Sequence, residues 1–277
     1  MRIETNARLV SRNKRLATVM FFVSMAVLIG GFFLITATQG VAAQAEDSGS
    51  FLASSLLSTL VLPASLICTI FSVRLTNLWL RQPRPEEAIK EGLKGISKKS
   101  TLYNYYHFPA RHVLISPQGV FAIVTRFQEG KFSVEGDKWK TAGGALTAVT
   151  RFFRQDHIAN PTHDALRAAE HVQKLLDSKM PGVHVQPLII FVDPRAQIEA
   201  INPQVPVLYA DERKEPNLRD YLREISDRQT KLSEEQVTNA KAKKKPGKPA
   251  EEVNGGALDA EAVAEAFDDA TAEVLAK

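Results

Sequence analysis

The chain has 277 residues, with 35 Lys and Arg against 31 Asp and Glu, a formal net charge of +4. That length allows one sizeable domain with appendages, and so small a charge excess does not mark a nucleic-acid binder by itself. The single cysteine, Cys68, excludes an intramolecular disulfide and any cysteine-based zinc site, and it suits a reducing compartment.

Residues 1–15 are basic, with Arg2, Arg8, Arg12, Lys14 and Arg15. Leu16 to Thr36 is then a run of 21 residues without a charge, and Phe51 to Val73 is another of 23. At 1.5 Å per residue each is long enough to cross a hydrocarbon core of about 30 Å, so residues 16–36 and 51–73 are expected to be transmembrane helices. Gly30-Gly31 and Pro63 would weaken a soluble helix and are tolerated in a membrane one. Residues 37–50 form the connecting loop, whose only charges are Glu46 and Asp47. Arg74, Arg81 and Arg84 follow the second span, so the positive-inside rule puts both termini in the cytoplasm and the short loop outside. The competing readings are buried helices of a soluble protein and a cleaved signal peptide, for which Val41-Ala42-Ala43-Gln44-Ala45 has the right small residues. An uncharged run of 21 residues exceeds the usual signal core of about 7–15 residues.

Pro83-Arg84-Pro85 separates the second span from a domain expected over residues 84–228. Glu86 to Ser97 reads as a short helix, with Ala88, Ile89, Leu93 and Ile96 at helical spacing. Leu102 to His107 reads as an aromatic strand. The central stretch is Phe108 to Gly136, where His112–Ser116, Val120–Phe127 and Lys131–Glu135 are strand-forming runs bounded by Pro117-Gln118-Gly119 and Glu129-Gly130. That spacing predicts a β-meander. In its middle strand Val120, Ala122, Val124 and Arg126 share one face, and Phe121, Ile123, Thr125 and Phe127 share the other.

The string His112-Val113-Leu114-Ile115-Ser116-Pro117-Gln118-Gly119-Val120-Phe121, followed by Ile123, resembles the core of the NERD family of nuclease-related domains. The likeness continues through Gly130-Lys131, Trp139, Asn160-Pro161 and the apolar run Leu188–Phe191, and it spans roughly residues 86–224. It implies an α/β fold of the restriction-endonuclease type, a mixed β-sheet flanked by helices. It also implies a metal site of an Asp and a Glu-x-Lys motif, and here this sequence departs from the family. The Asp falls on Arg111, the Glu on Val124 and the Lys on Arg126. Two carboxylates hold a hard divalent cation that activates water, whereas Arg111 is a permanent cation and Val124 has no donor atom. Glu129 and Glu135 lie past the turn, and Glu86 or Glu87 supplies only one carboxylate from an upstream helix. The resemblance therefore implies the fold and argues against the chemistry.

Further along, Gly143 to Phe153 reads as a short helix or loop. Asn160-Pro161 opens a helix, since Asn caps free N–H groups and Pro loses nothing in the first turn. Leu166, Ala169, Val172, Leu175 and Leu176 form its apolar face, and Met180-Pro181-Gly182 ends it. Where the family has a Gln in this helix, the sequence has Asp164. Val185–Val192 reads as a buried strand, Val205–Tyr209 as a shorter one and Pro216–Ile225 as the last helix of the domain. Residues 229–256 read as a basic flexible linker, centred on Lys241 to Pro249. Residues 257–277 read as an acidic, Ala-rich helix or tail with too sparse an apolar face to be stable alone. It docks on a protein partner or pairs with its own basic linker, and the sequence does not choose.

His157, His163 and His171 have no spacing that suits a zinc site, and neither a nucleophile elbow nor a phosphate loop is present. The leading expectation is thus an integral membrane protein of two spans with a cytoplasmic nuclease-related domain, a pseudoenzyme without a metal cofactor. It would bind a phosphate-bearing ligand, a nucleic acid or nucleotide, through Arg111, Arg126, His112 and Lys131, or capture a protein. The alternatives are an active Mg²⁺-dependent nuclease with carboxylates relocated to Glu86, Glu87, Glu129, Glu135 or Asp137, and an inert domain whose hairpin and tail recruit.

Overall fold

A computed structural model of the chain describes residues 1–44, 48–142, 158–243 and 258–276. The chain divides into two compact units. One is built from residues 7–82 and the other from Met1–Asn6, Pro83–Ala142 and the chain from Ile158 onward. The stretch expected as a helix or loop at Gly143–Phe153 lies outside the described residues, as does the part of the expected basic linker after Lys243.

The first unit is a pair of long helices, α1 (Ala7–Gln44) and α2 (Ser48–Trp79), each apolar and long enough to cross a membrane. They run into the segment expected as a loop at residues 37–50, since the first continues to Gln44 and the second begins at Ser48. Ala17, Ser24 and Gly31 recur every seven residues on α1, and Ala17 and Ser24 are buried. On α2, Ser65 and Ser72 repeat the spacing and are buried too. Small side chains at heptad spacing let two helices approach closely. The Ser24 and Thr69 hydroxyls share a hydrogen bond of 3.2 Å across the seam. A Cβ at Gly31 would stand 2.6 Å from Val61 Cγ1. Gly31→Leu is therefore expected to destabilise the pair by about 1–3 kcal/mol through overpacking, read as a lower melting temperature in detergent, with Gly30→Leu, whose Cβ meets nothing, as the silent control.

The second unit is the expected mixed sheet flanked by helices. Its strands are β1 (Arg2–Thr5), β2 (Thr101–Asn104), β3 (His112–Ser116), β4 (Gly119–Arg126), β5 (Gly130–Glu135), β6 (Lys138–Thr141), β7 (Val185–Phe191), β8 (Ala196–Ile201) and β9 (Val207–Tyr209). Its helices are α3 (Pro85–Gly92), α4 (Pro161–Asp177), α5 (Leu218–Lys243) and α6 (Ala260–Ala276). Six strands form one sheet in the order β1-β2-β3-β4-β7-β9, and three form a second in the order β6-β5-β8.

A meander is present, one strand earlier than the sequence suggests. Its strands β2, β3 and β4 pair antiparallel in turn, while β5 leaves for the second sheet. The edge of β4 is taken instead by β7, in parallel register from Val120↔Val185 to Arg126↔Phe191. The reason lies in the two strands' patterns. In β7, Leu188, Ile189, Ile190 and Phe191 are all buried, as a central parallel strand requires. In β5, Phe132 and Val134 alternate with Lys131, Ser133 and Glu135, which suits a sheet wet on one side.

The two faces of β4 divide as its alternation predicts. Val120 and Ala122 join Val113 and Ile115 of β3 under α4 and α6. Phe121 and Ile123 join Leu114 under α3 and α5. Asn160 caps α4 as expected, accepting a bond from the His163 amide at 3.1 Å. Its buried face is Ala165, Ala168, Ala169, Val172 and Leu176, while Leu166, expected inside, is 38% exposed. The strand expected at Leu102–His107 stops at Asn104 because Tyr105 turns to φ 65°.

Both ends of the chain belong to this unit. Arg2 to Thr5, expected as a basic flank, is an edge strand parallel to β2. The last domain helix does not end at Ile225 but continues to Lys243, into the expected linker. The acidic C-terminal segment is α6, and it buries Ala260, Val263, Ala264 and Phe267 in the core of its own domain. Arg2 and Asp268 join the two ends in an ion pair of 2.6 Å.

Candidate functional site

Antiparallel pairing sets His112 opposite Ile123. Continuing that register one step places Arg111 across from Val124, and β4 alternation returns Arg126 to the same face. The three positions at which the resemblance locates metal-site residues thus share one side of the hairpin, the side covered by α4. Val124 is half-buried there and packs into two apolar clusters, offering no ligand atom.

Arg126 is nearly enclosed, with 13% of its side chain exposed. Its Nη2 donates to Asp164 Oδ2 at 2.6 Å, and its Nη1 to the Thr125 carbonyl at 3.2 Å. Its Nε is buried without a hydrogen-bond acceptor. Burial disfavours the guanidinium charge and lowers its pKa, Asp164 works against that, and Arg111 acts as a like charge in the same direction as burial. Asp164 sits in the first turn of α4 and also accepts from Arg167 Nη2 at 3.0 Å. Two departures from the family, Lys to Arg and Gln to Asp, therefore meet as one ion pair. Arg111 is exposed at the rim. Among the described residues, the guanidinium groups of Arg111, Arg126 and Arg167 and the Asp164 carboxylate gather on this side of the sheet.

The other candidates lie elsewhere. His112 projects to the opposite side of the sheet and is 1% exposed. Its Nδ1 shares a hydrogen bond of 2.8 Å with Asn104 Oδ1, and burial pushes its pKa down to about 3. It is a neutral core group. Lys131 is exposed in the second sheet, in register with Gln197.

Arg84, counted from the sequence as a membrane-flanking arginine, is 2% exposed and donates to Glu86 Oε1 at 3.0 Å. Tyr105 donates its hydroxyl to Glu86 Oε2 at 2.7 Å. Burial raises the Glu86 pKa, but the bonds from Tyr105 and Arg84 outweigh it and hold the carboxyl below its ordinary value. The upstream carboxylate of the nuclease alternative is therefore engaged. Glu129 pairs with Arg195, and Glu135 and Asp137 lie at the β5–β6 turn. Among the described residues no three or more His, Cys, Asp and Glu side chains are grouped to hold a metal ion.

A second histidine buried without charge lies where α6 meets the β2–β3 loop. His107 Nε2 is 2.9 Å from the Thr271 hydroxyl, its ring is 5.0 Å from that of Phe267, and burial then nearby His171 lower its pKa to about 4. Unfolding restores the ordinary 6.5, so the unfolded chain gains protons first as pH falls. The stability from keeping His107 and His112 neutral is complete above about pH 6.5 and declines on acidification, toward 4 for His107 and 3 for His112. At about 1.4 kcal/mol per group per pH unit, the melting temperature should drop through that window and drop less in His107→Gln. A flat profile would contradict it.

Sequence reasoning noticed Asp164 and Arg126 separately and missed their pairing, since nothing across the 38 positions of chain that separate them signals that α4 covers this end of β4. Residues 84–192 match the family model described as nuclease-related domain, NERD. No curated protein and no solved structure matches the chain. That matched stretch contains Arg111, Val124, Arg126 and Asp164, and what it is similar to is a nuclease-related domain.

Proposed function

We propose that the chain is a membrane-anchored nuclease-related domain that binds a phosphate-bearing ligand without cleaving it. The observation that carries this reading is that Arg111 and Arg126, the latter fixed by Asp164 at 2.6 Å, stand near each other at two of the positions where the resemblance locates a metal site. A guanidinium presents forked donors that match phosphate oxygens, and it supplies charge where a metal would otherwise supply it. Without two carboxylates there is no bound cation to activate water. His112 and Lys131 take no part.

The anchor is the α1–α2 pair, and both termini are cytoplasmic. Arg8, Arg12, Lys14, Arg15, Arg74 and Arg81 flank the spans on one side. The pairing of β1 with β2 supports placing both flanks of the helix pair on one side of the membrane, whichever side that is. The chain leaves the domain at Asn6 and re-enters it at Pro83, and only an even number of crossings returns it to the sheet it left. A cleavage near Ala45 would remove a strand of that sheet.

The test uses the full chain in nanodiscs of neutral lipid, incubated with labelled single-stranded DNA and RNA, with and without Mg²⁺ or Mn²⁺. Retention without cleavage is expected, weakening with salt and reduced in Arg111→Glu. Metal-dependent cleavage that disappears on changing one acidic residue would replace this reading with the relocated-carboxylate nuclease.

A further inference from the structure

The loop joining β2 to β3, Tyr105 to Arg111, is held firmly yet turns an apolar ring outward. The Tyr105 amide donates to the Arg111 carbonyl at 2.6 Å, closing the loop at its base. Tyr105, His107 and Ala110 are buried, whereas Phe108 is 79% exposed. Three inward anchors fix the loop, so the phenyl ring is presented by a set structure, and it contributes nothing to the core.

Single exposed apolar residues are ordinary, and it is the position of this one that carries meaning. The Asn6 amide donates to the Asn104 carbonyl at 3.1 Å, and its side chain reaches the Tyr105 carbonyl at 3.4 Å. Asn6 is thus bound to the base of the same loop, and the next residue, Ala7, opens α1. The chain departs for its first apolar helix from the edge of the sheet that bears Phe108. Arg8, Arg12, Lys14 and Arg15 follow at once. Arg111, three residues after Phe108, stands at the rim of the guanidinium face described above.

We infer that the Phe108–Arg111 loop is a bilayer contact, and that the phosphate taken at this rim belongs to an anionic lipid headgroup. An aromatic ring gains most at the interface between headgroups and acyl chains, and the cytoplasmic leaflet carries anionic lipid that attracts clustered basic residues. The inference rests on the phosphate-binding reading and names the source of the phosphate. Phe108 enters the boundary, and Arg111 meets the phosphate oxygens above it.

The experiment places an environment-sensitive fluorophore at Phe108→Cys in a Cys68→Ser full-length chain, with the probe standing in for the ring. Asp137→Cys, at the exposed β5–β6 turn, is the reference. Chains are reconstituted in phosphatidylcholine vesicles with and without phosphatidylserine, each with and without a doxyl-lipid quencher. The probe at position 108 is expected to shift to the blue and be quenched, with a larger effect in phosphatidylserine. Arg111→Glu should remove that increment and Arg111→Lys should keep it. Emission matching the Asp137 reference overturns the inference, as does quenching that ignores both phosphatidylserine and Arg111. If single-stranded DNA is retained in neutral nanodiscs while the probe stays in water, the lipid assignment alone falls. If neither DNA nor phosphatidylserine has any effect, the phosphate-binding reading falls with it.

Discussion

Asp164→Ala is expected to destabilise the domain by about 2 kcal/mol or more, although it removes only one half-exposed carboxylate. The cost comes from the partner left behind. Arg126 is held at the end of β4 with 13% of its side chain exposed, and among the described residues Asp164 is its one carboxylate partner, at 2.6 Å. Its Nε is already buried without an acceptor, so losing Asp164 strands most of the guanidinium. Breaking a fully buried pair costs about 3–5 kcal/mol, and the solvent that reaches Asp164 reduces that figure. Arg126→Leu combined with Asp164→Leu should recover much of the loss, because an apolar pair has no unmet charge. Chemical denaturation of the four members of the cycle would measure the coupling. A coupling energy indistinguishable from zero would mean that the pair is incidental and that Arg126 is held by something else.

Phe267→Ala is expected to cost more, about 3–5 kcal/mol. The ring is fully buried in the cluster that contains Val113, Ala122, Val172 and Leu176, 4.7 Å from the Tyr103 ring and 5.0 Å from His107. Neither neighbour can collapse into the space. Tyr103 is held by its hydroxyl bond to the Ala264 carbonyl at 3.2 Å, and His107 by Thr271. Deleting residues 258–277 should be at least as damaging, since it uncovers Tyr103 and the α4 face together. Hydrogen exchange across β2 and β3 is the measurement, with faster exchange expected in both variants. Unchanged protection would show that α6 is dispensable and restore it as a free recruiting segment. The result also guards against a misreading: a tail deletion that abolishes capture of some partner would reflect a damaged core as readily as a lost docking site.

The two alternating faces of β4, the Asn160 cap and the long apolar helices were legible because each depends on neighbours close in sequence. A β-strand's side chains alternate whatever it pairs with, and a cap bonds three residues ahead. The departures at Arg111, Val124 and Arg126 were legible through the nuclease-related resemblance. Three features were not. Arg84 read as a flank beside a membrane span, and it is a core residue because Glu86 and Tyr105 meet its charge. Arg2–Thr5 is too short and too charged to read as a strand, and it is one because β2 offers an unfilled edge. The C-terminal helix looked too sparse in apolar residues to be stable, and it is stabilised by packing rather than propensity.

By itself the sequence determined that two stretches suit a membrane and that the strands at the centre carry no pair of metal-binding carboxylates. Both follow from which residues are present, and no fold can add a carboxylate to Val124. Only the tertiary structure decided what faces what. It brought Asp164 onto Arg126, sent β5 to a second sheet, and closed Arg2 on Asp268. Those are contacts between residues far apart in the chain, chosen by competition among strand edges and apolar faces, and no local pattern records the outcome of that competition.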